Sequence, residues 1–380
     1  MRPAREACLA LCALAATAAN APEPSLRAAL DAYADVHETE LAKFARGEPH
    51  RVVRVRVSRS GLGNRVQSLL SAFALALATR SALVFSWPEH ACDWGSVLNG
   101  TTCEADAFDD LYEPPPFARA VDRVRKAPRV LAVGETRGFE AWLARTDLDA
   151  LVSRHNIIDV HTDHHFLLAV LCNAGVRAKR LFPRDALETQ RVLEAYLLAP
   201  SSRVRRVAAA AAAEAGGCAV GVHLRSQKSK GDYSDVIAAN AYATIRVLLS
   251  RAAGGLFVAS DGHSEWLRER LHRLAQEQGV PVVARGGFGG QAGGDVAALA
   301  ENRVLSACSI IVPSRRSSFF RLAAVRAAAR DDVRTVWACP ATRNQTKVLG
   351  WAPDKPREGC TLYPSCPGPR DRSGLETFTY

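Results

Sequence analysis

The chain has 380 residues, of which 48% are hydrophobic, 23% charged and 7% aromatic. That balance excludes a disordered tail protein, a collagen-like repeat and a small disulfide scaffold, and the length suits one large or two medium domains. The formal net charge is +10, and of 49 Lys plus Arg only seven are Lys, leaving 42 Arg. Arg is the better fork for phosphate and carboxylate. Ala is over-used as well, however, and both residues have GC-rich codons, so coding bias accounts for most of the excess. The arginines are spread along the chain without a basic stripe interleaved with aromatics, which argues against a nucleic-acid partner.

At the N-terminus, Arg2 and Arg5 precede an apolar stretch from Ala7 to Ala19, followed by Ala-x-Ala sites ending at Ala18 or Ala21. This is the layout of a secretory signal. At about 13 residues the stretch falls short of the ~20 that span a bilayer, so cleavage is favoured, and a membrane enters only if the segment is kept as an anchor. Residues 1–21 are therefore read as a signal and 22–48 as a stem or N-terminal helix.

Val53, Val55 and Val57 alternate with arginines, which predicts a strand. The turn Ser58-Arg59-Ser60-Gly61-Leu62-Gly63 follows, then a helix with Val66, Leu69, Leu70, Phe73 and Leu77 on one face. Ala82–Trp87 is a second strand, and residues 88–120 are loop-rich. Val130–Val133 and Ile157–Val160 are further strands, and Phe166–Leu171 begins a buried segment. Glu188–Leu198 reads as a helix broken by Ala199-Pro200-Ser201-Ser202, with an Ala-rich helix over 203–215. A domain boundary near 195–202 divides an N-terminal domain, 49–198, from a C-terminal one, 199–337. In the latter, strands at 219–224, 255–260, 280–284 and 309–312 alternate with helices at 238–251, 263–278, 295–306 and 317–329. That order argues for a parallel sheet covered by helices on both faces.

The tail, 338–380, is rich in Cys and Pro. Beyond Cys8 and Cys12 in the signal, eight cysteines remain, none at zinc-like spacing. Cys92 and Cys103 flank a polar loop, and Cys339, Cys360 and Cys366 cluster in the tail, as disulfide partners do. Cys308, just before Ile310 and Ile311, reads as a buried strand thiol. Asn99-Gly-Thr101 and Asn344-Gln-Thr346 are glycosylation sequons in loop-like stretches.

Three stretches lie where a strand ends and a helix begins, the place where open α/β sheets collect ligands. In Gly61-Leu62-Gly63-Asn64-Arg65 the glycines permit a sharp turn, Asn64 is a candidate cap, and Arg65 opposes the helix dipole unless an anion is present. In Val220-Gly221-Val222-His223-Leu224-Arg225, His223 and Arg225 share one face at the strand's carboxyl end. An Arg there binds pyrophosphate with two parallel hydrogen bonds and stabilises charge on a departing phosphate. Asp232 and Asp235 follow in the next loop. In Pro313-Ser314-Arg315-Arg316-Ser317-Ser318-Phe319, hydroxyls precede a helix start that can hold phosphate. The plain structural alternatives are a βα turn, an ion pair and an N-cap.

In this order and at these separations the stretches resemble the GDP-fucose-dependent fucosyltransferases, most of all the plant cell-wall xyloglucan group. GLGNRVQSLLSAFALALATRSALVF, HTDHHFLLAVL, LFPRDALETQRVLEAYLLAPSSRVRRV, VGVHLR and ALAENRVLSACSIIVPSRRSSFFRLAA carry the likeness over Val52–Ala329. The resemblance implies a GT-B-like α/β fold of two facing Rossmann-type domains with parallel sheets. It implies inverting, metal-independent transfer of fucose from GDP-fucose to a hydroxyl of a glycan or glycoprotein, with no further cofactor. The N-terminal signal and the cysteine usage place the chain in the secretory lumen, the Golgi first and the endoplasmic reticulum as the alternative. Carried over by position, Arg225 serves the donor phosphates with His223 beside it. Ser317, Ser318 and Phe319 line the pocket, and Asn64 and Arg65 face the cleft from the acceptor side. Asp232, then Asp235, is the candidate base, with water-mediated activation the alternative. Three departures from the pattern, Lys228, Arg316 and Phe320, keep two other readings open: a transferase using another nucleotide sugar, or a lapsed enzyme that binds glycans.

Overall fold

A computed structural model describes residues 25–57, 60–88, 106–117, 131–133, 138–162, 165–183, 185–224, 242, 245–246, 248–250, 254–260, 265–286, 294–312, 317–327 and 334–335. Two short N-terminal helices, α1 (Leu26–Asp31) and α2 (Tyr33–Arg46), lead into the first sheet. Its strands are β1 (Val52–Val57), β2 (Ala82–Ser86), β3 (Leu131–Val133) and β4 (Ile157–Thr162). They pair wholly in parallel in the order β2-β1-β4-β3. Between β1 and β2 runs α3 (Leu62–Thr79), and α4 (Phe108–Leu111), α5 (Phe139–Arg145) and α6 (Leu148–Arg154) precede β4. Asp147 caps α6, its carboxylate accepting the Ala150 N–H at 3.0 Å.

After β4 the chain is helical: α7 (Leu167–Cys172), α8 (Ala174–Ala178), α9 (Ala186–Leu197) and α10 (Ser202–Glu214). The break at Pro200 separates α9 from α10, as its composition predicts. The second sheet holds β5 (Cys218–Leu224), β6 (Gly255–Ser260), β7 (Val282–Gly286), β8 (Ile310–Val312) and β9 (Arg334–Thr335). It too is parallel, in the order β7-β6-β5-β8-β9. Helices that accompany it include α11 (Glu265–Glu277), α12 (Gly294–Ala307) and α13 (Ser318–Ala327). The expectation of an α/β fold with two parallel sheets holds.

Both faces of the second sheet are covered. Val220, Val222, Leu256 and Val258 pack with Leu267, Leu271 and Leu274 of α11. On the opposite face, Phe257, Ala259 and Val283 join the main apolar core, which continues through Leu299 and Leu322 to α3 and Val53, Val55 and Val160 of the first sheet. The core is therefore continuous across the two halves. One consequence separates structure from expectation. A single apolar face was expected on α3, yet every residue of it except Asn64 is buried. The helix lies at the seam, so the first sheet covers one side and α13 approaches the other.

That approach is backbone to backbone. A Cβ on Gly63 would lie 2.6 Å from the Ser318 carbonyl carbon, 2.8 Å from Phe319 Cα and closer still to the Phe319 nitrogen. On β5, a Cβ at Gly221 would lie 2.7 Å from Cys308 Sγ. Here the sequence reading of Cys308 is corrected: it is buried at the end of α12, but disulfide-bonded to Cys218, 90 residues earlier. The separation in sequence hid the pairing, which the fold makes by laying α12 under β5. Cys172 is disulfide-bonded as well. The predicted partners Cys92, Cys103, Cys339, Cys360 and Cys366, both sequons, the signal and the tail lie outside the described residues. No helix among the described residues is long and apolar enough to cross a membrane.

Overpacking at these crossings sets a test. Gly63→Ala and Gly221→Ala are each expected to lower stability by about 1–3 kcal/mol in urea unfolding. Gly175→Ala, whose new Cβ meets only Asn173 Oδ1 at an ordinary 3.4 Å, is expected to be neutral or stabilising by up to about 1 kcal/mol.

Candidate functional site

In the second sheet, β6 and β7 extend to one side of β5, and β8 and β9 to the other. The strand order therefore reverses between β5 and β8, and the crevice outside their carboxyl ends is the topological switch point where such sheets bind ligands. His223 is the penultimate residue of β5, on that crevice's edge, and α13 begins just beyond β8. In the first sheet the order reverses between β1 and β4, and α3 starts from the carboxyl end of β1.

Four of the candidate residues meet at the first of these points. The buried His223 ring lies 5.2 Å from the Phe319 ring and 6.3 Å from that of Phe320. Ser317 caps α13: its Oγ accepts the Phe320 N–H at 3.2 Å, and its carbonyl accepts the Arg321 N–H at 3.0 Å. The Ser318 carbonyl accepts from Gln67 Nε2 of α3 at 3.3 Å. The Gly61–Arg65 turn is thus pressed against the Ser317–Phe319 helix start, joining two of the three predicted stretches. The donor-loop residues Arg225, Asp232 and Asp235 lie outside the described residues, as do Lys228 and Arg316.

Two roles within the α3 turn differ from expectation. Asn64 does not cap the helix. Gly61 occupies the cap position, its carbonyl accepting from Asn64 and Arg65 N–H at 2.9 and 3.2 Å. Asn64 sits two residues into the helix and is left as its half-buried position, because Gly61 already supplies the extended backbone that a cap requires. Arg65 does have the anionic partner its position calls for, but that partner belongs to the protein. Its guanidinium forks onto Asp295 in the first turn of α12, Nη1 to Oδ2 at 2.7 Å and Nη2 to Oδ1. The guanidinium also lies 5.0 Å over the Trp87 ring.

Sequence reasoning also missed the polar scaffold behind Phe319. Asn302, fully buried in α12, donates to the Phe319 carbonyl at 2.6 Å. Its own Oδ1 accepts from Arg326 of α13 at 2.5 Å, and Arg326 Nε donates to Glu194 of α9. The signal was present in the string ALAENRVLSA, where an Asn and an Arg interrupt a buried helix, but neither residue announces its partner. Arg303 lies close by, its guanidinium brought down to about 10 by burial and by Arg326, against the opposing pull of Glu194 and Tyr112.

From the first half, His165 reaches α13, where its Nδ1 accepts from Arg321 Nη1 at 3.3 Å. This contact requires a neutral imidazole. Burial, then the neighbouring Arg321 charge, hold the His165 pKa well below the ordinary value of 6.5. Asp163 and His164, its neighbours in the stretch HTDHHFLLAVL, lie outside the described residues. Among the described residues no group of three or more His, Cys, Asp or Glu is arranged to hold a metal ion.

No family model and no curated protein matches the chain by sequence. Solved structures do match. One is a mutant Arabidopsis thaliana FUT1 in complex with GDP, 17% identical at a TM-score of 0.60, covering 82% of this chain and 78% of that one. Looser matches are the fucosyltransferase NodZ from Bradyrhizobium (20% identical, TM-score 0.42, 72% and 91% covered) and POFUT1 in complex with GDP-fucose (12%, 0.49, 76% and 99%). The likeness to the Arabidopsis structure establishes the fold, the GT-B-like arrangement of parallel α/β sheets.

Two measurements test the scaffold. Arg326→Ala strands the buried Glu194 carboxylate and is expected to cost about 3–5 kcal/mol in equilibrium unfolding, whereas Arg326→Met combined with Glu194→Leu recovers most of that loss. For His165 the folded pKa lies below the unfolded one, so the unfolded chain binds the extra proton. Its contribution is complete above about pH 6.5 and is lost as pH falls. From pH 7 to pH 5 the wild type should lose up to about 2 kcal/mol more stability than His165→Gln.

Proposed function

We propose that the chain is an inverting, metal-independent fucosyltransferase that moves fucose from GDP-fucose to a hydroxyl of a glycan or glycoprotein. The observation that carries the reading is the switch-point crevice. The strand bearing His223 and the capped helix start at Ser317–Phe319 meet there, on the sheet whose order is that of a nucleotide-binding fold. Its support is twofold: five motifs of the fucosyltransferase pattern fall in register along the chain, and the similar Arabidopsis structure is a complex with GDP.

In this reading residues 49–198 form the acceptor-side domain and 199–337 the domain that holds GDP-fucose. The acceptor oxygen attacks the anomeric carbon from the side opposite the phosphate. A C–O bond forms as the C–O bond to GDP breaks, with inversion, and the hydroxyl proton passes to Asp232, or to Asp235 or water in its place. Arg225, one residue beyond β5, and the positive end of α13 stabilise the charge that grows on the departing diphosphate. Ser317 Oγ accepts the cap bond and so holds the helix start in place, its O–H staying available to a phosphate, while the α13 N-terminus supplies the dipole. The Cys218–Cys308 disulfide supports an oxidising compartment, in keeping with a secretory signal and a Golgi or other lumenal location.

GDP is expected to raise the melting temperature where UDP and CMP do not. Labelled GDP-fucose and a glycan array should then give labelled product. Arg225→Ala is expected to cut turnover about 10²–10³-fold. Stabilisation by UDP instead would assign another nucleotide sugar, and GDP binding without hydrolysis or transfer would assign a lapsed, glycan-binding role. Near-normal turnover in Arg225→Ala would overturn the catalytic assignment.

A further inference from the structure

We infer that Arg65 is a positioning residue rather than a ligand of the donor phosphate: it clamps the start of α12 to the start of α3, and through α12 sets the crevice. For its activity readout this rests on the fucosyltransferase reading above.

Arg65 is already engaged within the protein. It is 1% exposed, the largest of the fully buried side chains among the described residues. Two of its three guanidinium nitrogens are spent on Asp295, and one face of the plane covers Trp87. The third nitrogen, Nε, has no hydrogen-bond partner among the described residues, and its N–H is closed off from solvent with the rest of the side chain. A phosphate at this Arg would first have to displace a two-pronged carboxylate held in a nearly dry setting, where such a pair is hardest to break.

The carboxylate it holds is placed to transmit position. Asp295 opens α12, and the same turn is gripped a second time from the first half, by Asp106 Oδ2 accepting the Val296 N–H at 2.8 Å. Gly294, at φ +50°, lies so close that an added Cβ would stand 2.5 Å from that same oxygen. Two residues of the first half, Arg65 and Asp106, therefore grip one turn of the second. Two turns along the same helix, Asn302 holds the Phe319 carbonyl, and Phe319 lies against His223. A shift of the α12 start would carry along the ring that meets His223 at the crevice. The residue type follows from this geometry. Lys provides a point charge without a fork or a plane to lay on Trp87, so it cannot make both contacts.

The test uses the full chain and four forms besides wild type: Arg65→Lys, Arg65→Ala, Asp295→Asn and the double variant Arg65→Ala/Asp295→Asn. Three quantities are read: the Kd for GDP, kcat with GDP-fucose, and amide exchange at Val296. A clamp predicts that Asp295→Asn and Arg65→Ala each lower kcat, by up to about 10²-fold for a shift near 1 Å. Any change in the Kd for GDP should be shared, equal within about twofold between Asp295→Asn and Arg65→Ala, since both disturb the same α12 start. The double variant should be no worse than Arg65→Ala alone, Arg65→Lys should recover only part of the loss, and Val296 exchange should quicken in all four. A Kd for GDP weakened tenfold or more by Arg65→Ala, with Asp295→Asn at wild-type kcat, overturns the clamp and makes Arg65 a phosphate ligand. Should Arg65→Ala fail to fold, Asp295→Asn, which keeps shape and size, decides alone. If wild type neither binds GDP nor uses GDP-fucose, it is the functional reading that fails. The clamp is then judged by Val296 exchange, and unchanged exchange in Asp295→Asn overturns it.

Discussion

The structure depends on a crossing with no room for a side chain. At Gly63 the first turn of α3 lies directly on the backbone of Ser318 and Phe319. Those two helix starts issue from different sheets, so their contact fixes how the sheets stand to each other. It also explains why α3 is buried on every side: the helix is packed by its own sheet and by α13. Hydrophobic burial alone would permit sliding along this seam, since apolar contact has no direction. Direction comes from hydrogen bonds that cross it, such as Gln67 to the Ser318 carbonyl and Arg321 to His165.

Charged groups buried along the same seam sharpen this. Arg65 with Asp295 and Arg326 with Glu194 are both nearly dry, and each joins elements far apart in sequence. Buried pairs of this kind add little net stability compared with apolar replacements, because desolvation offsets most of the attraction. What they supply is intolerance of misalignment: a shifted register leaves a charge unpaired at a cost of several kcal/mol. A seam joined by such pairs has one favoured arrangement. Arg303 adds a further cation near Arg326, and burial first, then that neighbouring charge, bring its guanidinium down to about 10.

How far the sequence foretold this depends on the range of the interaction. Strands such as β1 and β5 were legible because β-branched runs bounded by turns have few other uses. The helices on either side of Pro200 were legible from a local break. The stretches at strand ends were legible because a glycine turn or a Ser cluster is local chemistry. What escaped was pairing at a distance. Arg54 was read only as one of the arginines that alternate with valines along β1. The structure buries it, with Nε 3.0 Å from Asp159 Oδ1 at the matching register position of β4. Nothing near Arg54 names an aspartate 105 residues away. The same limit hid the Cys218–Cys308 bond and left Cys308 looking like a lone thiol. It hid Asp295 as well, since an acidic residue in a first helical turn is ordinarily explained by the helix dipole alone.

These long-range partners converge on one element. Helix α12 is held at its start by Asp106 and Arg65, at its middle through Asn302 to Phe319, and at its end by the disulfide from Cys308 to β5. An element fixed at both ends and tied in the middle behaves as a strut, and a strut carries position from one half to the other. The crevice at β5 and β8 belongs by topology to the second sheet, yet part of its geometry is imposed from the first. A nucleotide bound there would meet a helix start whose neighbour in the fold is anchored beyond the seam. The two halves are therefore not a binding module with an attached acceptor platform. The placement of the Phe319–His223 contact is a property of their junction.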